Sequence, residues 1–432
     1  MFESKKDNQA VIKLPSGLRD ILPPETEERN TIREIIRKEF RLWGYGEVIT
    51  PVMEYTKNIS IGIGKNWKDR LINFFDVDGS PLSLRSDMTV PIARLTGMRI
   101  KKKHLPVRFY YFADSYRQPA TQKGDRRVYN QAGLELIGSS SDLEADVEIL
   151  TILVRILERL DLKGFKIGLG NVEFIEGLCD WFSLDKNERE YVKKKVITKN
   201  LVMLEEFLGR KDKKKAEIFI KLIQPEGKIE KIADIVSIVR EQRVLESFNY
   251  IKNIYDVLKE FNYNRYLVTD FSVIRDFDYY TGLLFEVYCP DIAGVIGSGG
   301  RYDGLIKKFG MDVKGTGFAL DIDLTHKAAG KLNSRKNIKI LLKKKLHCSE
   351  DKEDIAGLIK LARKLQEKDV IVELCFDDKP DLESFAAEKK CELIVLVEPD
   401  FKNVTVRDLR QNIEKQENIN NFLKEINDGK RN

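Results

Sequence analysis

The sequence predicts an α+β protein. An antiparallel sheet flanked by helices, carrying a helical insertion at about residues 174–261, occupies residues 1–330, and a small α/β domain occupies 337–432. Three observations predict it. Alternating apolar runs face each other across turn and loop signals, an Asp78-Gly79 pair among them, which is the pattern of antiparallel hairpins. Between Phe174 and Phe261 the apolar spacing becomes almost wholly helical. Beyond Ile338, short apolar runs alternate with amphipathic ones, as strands and helices do in a small α/β domain.

Taken in order, Ile32, Ile35, Ile36, Phe40 and Leu42 recur at helical spacing, so a long helix over residues 25–43 opens the core. Strand runs follow: Val48-Ile49 before Pro51, residues 74–77 before the Asp78-Gly79 turn, and 82–84 after it. Residues 107–117 alternate as the next long strand, 129–138 are its antiparallel return, and 119–127 form the polar loop between them. Asp142 begins a helix with Asp/Ser capping character that runs through Leu160. Residues 166–171 read as another core strand. In the helical region Leu201, Leu204, Phe207 and Leu208 make one stripe, and Ile229, Ile232, Ile235 and Val236 a second. Strands return over 283–288 and 315–320, with a Gly297-Ser298-Gly299-Gly300 turn between them. After a polar linker at 331–336, strands at 338–342, 370–374 and 393–397 alternate with helices at 354–366 and near 382–389.

Composition bounds the function loosely. The 432 residues suffice for two or three domains, and 75 basic against 69 acidic residues leave a net charge of +6, which argues neither for nor against a nucleic-acid surface. Lysine runs at 101–103, 193–195, 213–215 and 343–345 read as solvated faces, a tRNA-binding stripe being the lesser reading. Cys179, Cys289, Cys348, Cys375 and Cys391 are scattered without a C-x-x-C pair, and only three histidines occur. No metal site, disulfide framework or cofactor is expected, and reduced thiols in the cytoplasm are the default. The N-terminal residues show no signal-peptide pattern and no run is apolar enough to span a membrane, so a cytoplasmic location is expected.

The chemistry lies in short motifs. Arg275-Asp276-Phe277-Asp278-Tyr279-Tyr280-Thr281-Gly282 precedes Gly299-Gly300-Arg301-Tyr302-Asp303. Upstream stand Leu14-Pro15-Ser16-Gly17-Leu18-Arg19-Asp20, the passage Gly44 through Glu54, Leu84-Arg85-Ser86-Asp87-Met88-Thr89 and Gln131-Ala132-Gly133-Leu134-Glu135. Alone, a Tyr-Tyr or Gly-Gly pair reads as a strand or a turn. In this order, over about 320 residues, they resemble the histidyl-tRNA synthetases, whose class II fold the resemblance implies. It further implies that Gly44 to Glu54 and the preceding helix make a homodimer, that the helical stretch is the family's insertion, and that the C-terminal domain corresponds to an anticodon-binding domain.

The resemblance also implies a histidine site and a nucleotide site, and the two have diverged differently. The candidate histidine-binding residues are Asp87, Thr89, Arg117, Gln131, Glu135, Arg275, Tyr279 and Tyr280. Free histidine presents an ammonium, a carboxylate and an imidazole that can donate or accept. By the family pattern Asp87 meets the ammonium, one methylene shorter than the family's Glu, and Gln131 bonds the amino-acid head. Glu135 lies on the imidazole side, Tyr280 offers its hydroxyl to a ring nitrogen, and Arg275 meets the carboxylate. On the ATP side the family's Arg-x-Glu becomes Arg117-Gln118-Pro119, and the arginine that clamps the terminal phosphate becomes Leu324. Proline offers no acceptor side chain, and leucine cannot neutralise a triphosphate.

Retained histidine chemistry beside lost ATP chemistry resembles the regulatory subunits of ATP phosphoribosyltransferase. That implies a non-catalytic chain, with no catalytic residue of its own, that pairs with a short catalytic subunit in the first step of histidine biosynthesis and senses L-histidine. The chain shows no G-x-x-x-x-G-K-[ST] phosphate loop, so the transferase site belongs to the partner. An active histidyl-tRNA synthetase and a repurposed RNA-binding paralogue are the alternatives, and the C-terminal domain keeps the first of them open.

Overall fold

Helix α1 (Glu25–Leu42) buries Ile32, Ile36 and Phe40 completely, one stripe of a helix whose other face is charged. The computed structural model describes residues 13–63, 69–118, 126–225, 229–274, 279–330, 338–345, 352–375 and 381–428. Two units emerge, 1–332 and 333–432.

In the first unit, α1 leads to β1 (Gly46–Glu47), β2 (Met53–Tyr55), α2 (Thr56–Ile63), β3 (Asn73–Phe75), β4 (Pro81–Leu84) and α3 (Thr89–Arg99). The long hairpin is β5 (Val107–Tyr116) with β6 (Val128–Ile137), paired from Val107↔Ile137 to Tyr116↔Val128. Helix α4 (Asp142–Arg159) starts at Ser141, whose hydroxyl accepts from the Glu144 N–H, and β7 (Lys166–Asn171) follows. The helical stretch is α5 (Val172–Trp181), α6 (Lys186–Ile197), α7 (Leu201–Gly209), α8 (Lys213–Ile223), α9 (Ile229–Val239) and α10 (Gln242–Lys259). The chain then returns through β8 (Leu267–Thr269), β9 (Leu283–Tyr288), β10 (Gly297–Arg301), β11 (Gly315–Asp321) and α11 (Ile322–Ala329).

Eight strands form one sheet in the order β1-β5-β6-β11-β10-β9-β7-β8. The six inner strands are antiparallel, as expected, and the sheet is mixed only at its two edges, where β1/β5 and β7/β8 run parallel. Parallel neighbours need a long crossover, and the helical stretch α5–α10 supplies one between β7 and β8. Val48 and Ile49 do not extend β1 as expected: the Val48 N–H still reaches Tyr110 O at 2.9 Å, while Ile49 is 87% exposed. The Asp78-Gly79 turn closes β3 against β4 with Gly79 at φ +82°, within a separate three-stranded sheet of order β2-β4-β3.

Gly297-Ser298-Gly299-Gly300 is not a turn. It is the body of β10, paired with β9 on one side and β11 on the other. A Cβ on Gly299 would lie 2.2 Å from Gly317 O and 2.5 Å from the Phe285 ring, so glycine is there for close approach between strands. Composition alone suggested a bend; packing demanded a thin strand.

The sheet's two faces carry different cores. Ala132, Leu134 and Leu136 of β6 face Phe40 and Ile149 from α1 and α4. Tyr111 and Ala113 of β5 join Ile92 of α3 and Ile306 in a second cluster.

In the second unit β12 (Lys339–Lys344), α12 (Lys352–Gln366), β13 (Ile371–Leu374), α13 (Leu382–Glu388) and β14 (Leu393–Val397) form the expected alternation. Two strands and a helix were not anticipated: β15 (Asn403–Asp408), β16 (Ile413–Asn418) and α14 (Ile419–Asp428) extend it to a sheet of order β13-β12-β14-β15-β16. Ile-Glu-Lys-Gln-Glu-Asn in β16 is an almost wholly polar edge, without the apolar alternation that marks a strand. The lysine run at 343–345 is not a solvated face, because Lys343 and Lys344 lie buried in β12, where Lys344 pairs with Asp354.

Candidate functional site

A cavity of about 440 Å³ opens on the α3 side of the sheet. Strand alternation sends Tyr129, Gln131 and Glu135 of β6 toward it, while the N-terminal approach to α3 supplies Asp87 and Thr89. The segment before β9 adds Tyr279 and Tyr280, and Arg117 follows the end of β5. The structure therefore brings together seven of the eight predicted residues: Asp87, Thr89, Arg117, Gln131, Glu135, Tyr279 and Tyr280. Arg275 lies outside the described residues.

Two buried carboxylates organise the interior. Asp87 accepts from the Tyr279 hydroxyl at 3.2 Å. Glu135 accepts from Thr89 Oγ1 at 3.0 Å and from the Tyr302 hydroxyl at 2.5 Å. Burial raises the Asp87 pKa to about 6, against the opposing pull of the Arg117 charge and the bonds from Tyr279 and the Val90 backbone. Burial raises Glu135 further, to about 8, despite its two hydroxyl donors, and the charge on Asp87 adds to the rise. At neutral pH the pair is poised to hold one negative charge readily and a second only beside a cation. Glu135 fits because Gly317 stands opposite it on β11: a Cβ there would lie 2.0 Å from Glu135 Oε2.

Gln131 Oε1 is a buried acceptor with no hydrogen-bond partner among the described residues, in a side chain that lines the cavity. A ligand donor can satisfy it, and leaving it unmade costs free energy. Arg117 donates from Nε to Ser86 O at 2.9 Å and lies 4.8 Å over the Tyr129 ring.

The other end of the cavity is different. Leu324, the first residue but two of α11, lines it as an apolar wall. Arg126 is held there by Asp321, at 2.7 Å, and by Asp323, at 3.2 Å. Pro119 lies outside the described residues.

Sequence reasoning assigned no role to Tyr302, Tyr111 or Arg126. Tyr302 stood inside a quoted motif, but that its ring would cross to Glu135 is a product of the β10–β11 pairing. Nothing local distinguished Tyr111 from its strand neighbours or Arg126 from Arg127. Among the described residues no group of three His, Cys, Asp or Glu side chains could hold a metal ion, and no helix is long and apolar enough to cross a membrane.

Known proteins resemble this chain in sequence and in fold. The family model described as histidyl-tRNA synthetase matches residues 17–324. An ATP phosphoribosyltransferase regulatory subunit from Thermoanaerobacter pseudethanolicus is 33% identical, over 72% of this chain and 82% of the relative. One from Ruminiclostridium cellulolyticum is 30% identical over 95% of this chain and 98% of the relative, so the similarity extends through the second unit. A Bacillus halodurans crystal structure described as an ATP phosphoribosyltransferase regulatory subunit/histidyl-tRNA synthetase superposes with a TM-score of 0.76 at 26% identity, covering 88% of this chain and 97% of that one.

Proposed function

The chain belongs to the histidyl-tRNA synthetase-like family of ATP phosphoribosyltransferase regulatory subunits, and from that premise we propose that it is the non-catalytic subunit that a short catalytic subunit requires for the first step of histidine biosynthesis. In the same reading it binds L-histidine in the carboxylate-lined cavity and transmits feedback inhibition. One observation carries this: a single cavity pairs an amino-acid end rich in complementary polar groups with a nucleotide end walled by Leu324, where Arg126 is already committed to Asp321 and Asp323. An ammonium suits Asp87 beside Glu135, and a donor suits Gln131 Oε1. At the nucleotide end the terminal phosphate of a triphosphate would meet Leu324 where the family places an arginine, and an Arg126 whose charge Asp321 and Asp323 already offset.

A chain that binds an amino acid without activating it can use the binding energy only to bias an equilibrium. The ligand shifts the assembly toward an inactive form by its differential affinity, typically about 1–3 kcal/mol. The partner supplies the transferase chemistry, and tRNA has no part in the reading.

Reconstitution tests it. Mixed with a short catalytic subunit, the chain is expected to switch on ATP phosphoribosyltransferase activity, and L-histidine to lower it. In Asp87→Ala the histidine concentration for half-inhibition should rise, measured against that variant's own uninhibited rate. Histidine-dependent ATP–pyrophosphate exchange by the chain alone would instead establish an active synthetase.

A further inference from the structure

We propose that a second cavity, on the opposite face of the sheet, binds a small phosphate-bearing anion. The cavity measures about 540 Å³, and Arg19, Arg29, Arg33 and Arg126 line it together with Asp114 and Asp323. It is a different place from the carboxylate-lined cavity. Val128 and Asn130 of β6 face it, whereas Tyr129 and Gln131, their alternate neighbours on that strand, face the other. Among the described residues only Arg126, two positions before β6, borders both.

Four guanidinium groups and four carboxylates, Asp323, Asp321, Glu25 and Asp114, meet in and beside this recess, but their pairing is uneven. Asp323 is shared by three guanidinium groups, from Arg29 at 2.6 Å, Arg126 at 3.2 Å and Arg19 at 3.3 Å. Arg126 and Arg19 find a second carboxylate on their outer sides, Asp321 and Glu25. Arg33 has no ion pair among the described residues. Its Nη2 donates to Asn130 Oδ1 at 2.8 Å, and the Asn130 amide in turn donates to Asp114 at 2.6 Å. The Nε atoms of Arg29 and Arg33 are buried without an acceptor among the described residues, and Arg29 as a whole is 6% exposed. Burial lowers the Arg33 pKa, and the neighbouring Arg29 and Arg37 charges lower it further, opposed in part by Asp114 and Asp323.

A buried donor without an acceptor is costly, and one anion placed beside Arg29 and Arg33 would answer both orphaned Nε groups. Arginine forks match the paired oxygens of phosphate geometrically. The volume exceeds what inorganic phosphate fills, so pyrophosphate or a sugar phosphate fits the chemistry, while the shielding of Arg29 favours a compact anion over a polymer backbone.

Calorimetric titration of the full chain with inorganic pyrophosphate, in chloride buffer and in the presence of saturating L-histidine, tests this. Binding is expected at one pyrophosphate per chain. It should weaken about tenfold or more in Arg33→Gln, which removes a charge-assisted donor, and likewise in Asn130→Asp, which adds a negative charge to the wall. Pyrophosphate should also shield Arg33 of the unmodified chain from phenylglyoxal, read by mass spectrometry, a measurement that needs no variant to fold. No binding at millimolar pyrophosphate, unchanged affinity in both variants, or undiminished labelling of Arg33 would each overturn the proposal, as would binding that histidine abolishes by competition.

Discussion

Arg301 donates to Asp146 at 3.0 Å where the two side chains keep 5% and 0% of their exposure. The same guanidinium holds Asp142 at 2.9 Å and Asp303 at 3.0 Å, and the Tyr250 hydroxyl of α10 meets the second Asp146 oxygen at 2.6 Å. The next residue, Tyr302, turns to the other face of the sheet and donates to Glu135 in the cavity. Adjacent positions thus anchor the helical stretch and the site. Arg301→Met should destabilise the protein by about 3–5 kcal/mol, because Asp146 would remain buried beside no cation. Adding Asp146→Asn should recover part of that loss, as chemical denaturation of the single and double variants would reveal; strict additivity would deny the coupling.

Gly317→Ala should damage both fold and site. The new methyl would lie 2.0 Å from Glu135 Oε2 and 2.3 Å from Leu134 O, so both the carboxylate and a strand must shift. Overpacking of this kind costs about 1–3 kcal/mol, and thermal unfolding should register it. A variant as stable as the parent, with unchanged histidine affinity, would mean that the strand gives way freely.

The pH dependence of the unliganded protein follows from its buried acids. Glu135 is raised to about 8, and Asp87 and Asp146 to about 6, all by burial. The folded state therefore binds more protons than the unfolded one between the ordinary carboxylate range and these values. Stability is full below that range and declines as pH rises through about 6 and then about 8, by up to about 1.4 kcal/mol per pH unit for each group. Glu135→Gln should flatten the upper part of the decline, measured by denaturant titration from pH 5 to pH 9. A wild-type stability that rises over that window would contradict the assignment.

Asp87→Ala should weaken histidine binding by about 1.5–3 kcal/mol through loss of a charge-assisted bond. Calorimetry giving the parent's affinity would move the amino-acid site elsewhere.

A homodimer is expected across the edge at β1. Leu42, Ile49, Val52, Met53 and Tyr55 are exposed there, and among the described residues β1 leaves one edge of the sheet unpaired. Light scattering should give twice the chain mass, and Ile49→Lys should lower it toward that of a monomer. A parent chain that stays monomeric at micromolar concentration would remove this interface from the reading.

Much of the fold was legible because it rests on periodicity. The stripe in α1, the β5–β6 hairpin and the helices from α5 to α10 each repeat a local spacing that a short window of sequence contains. The candidate pocket was legible for another reason: Asp87, Gln131, Glu135 and Tyr280 stand in motifs whose order resembles a family, although some 190 residues separate Asp87 from Tyr280.

What the sequence by itself determined, then, was the class of fold, the extent of the helical stretch and seven of the residues that line the carboxylate cavity. The tertiary structure alone decided that Gly297 to Gly300 is a strand, that Lys343 and Lys344 are buried, that the sheet's edges run parallel, and that four arginines close around a second cavity behind β6. Local spacing records which face of an element is apolar. It does not record which strand lies alongside, and that neighbour determines whether a glycine turns or packs, whether a lysine is solvated or shielded, and which charges meet across hundreds of residues.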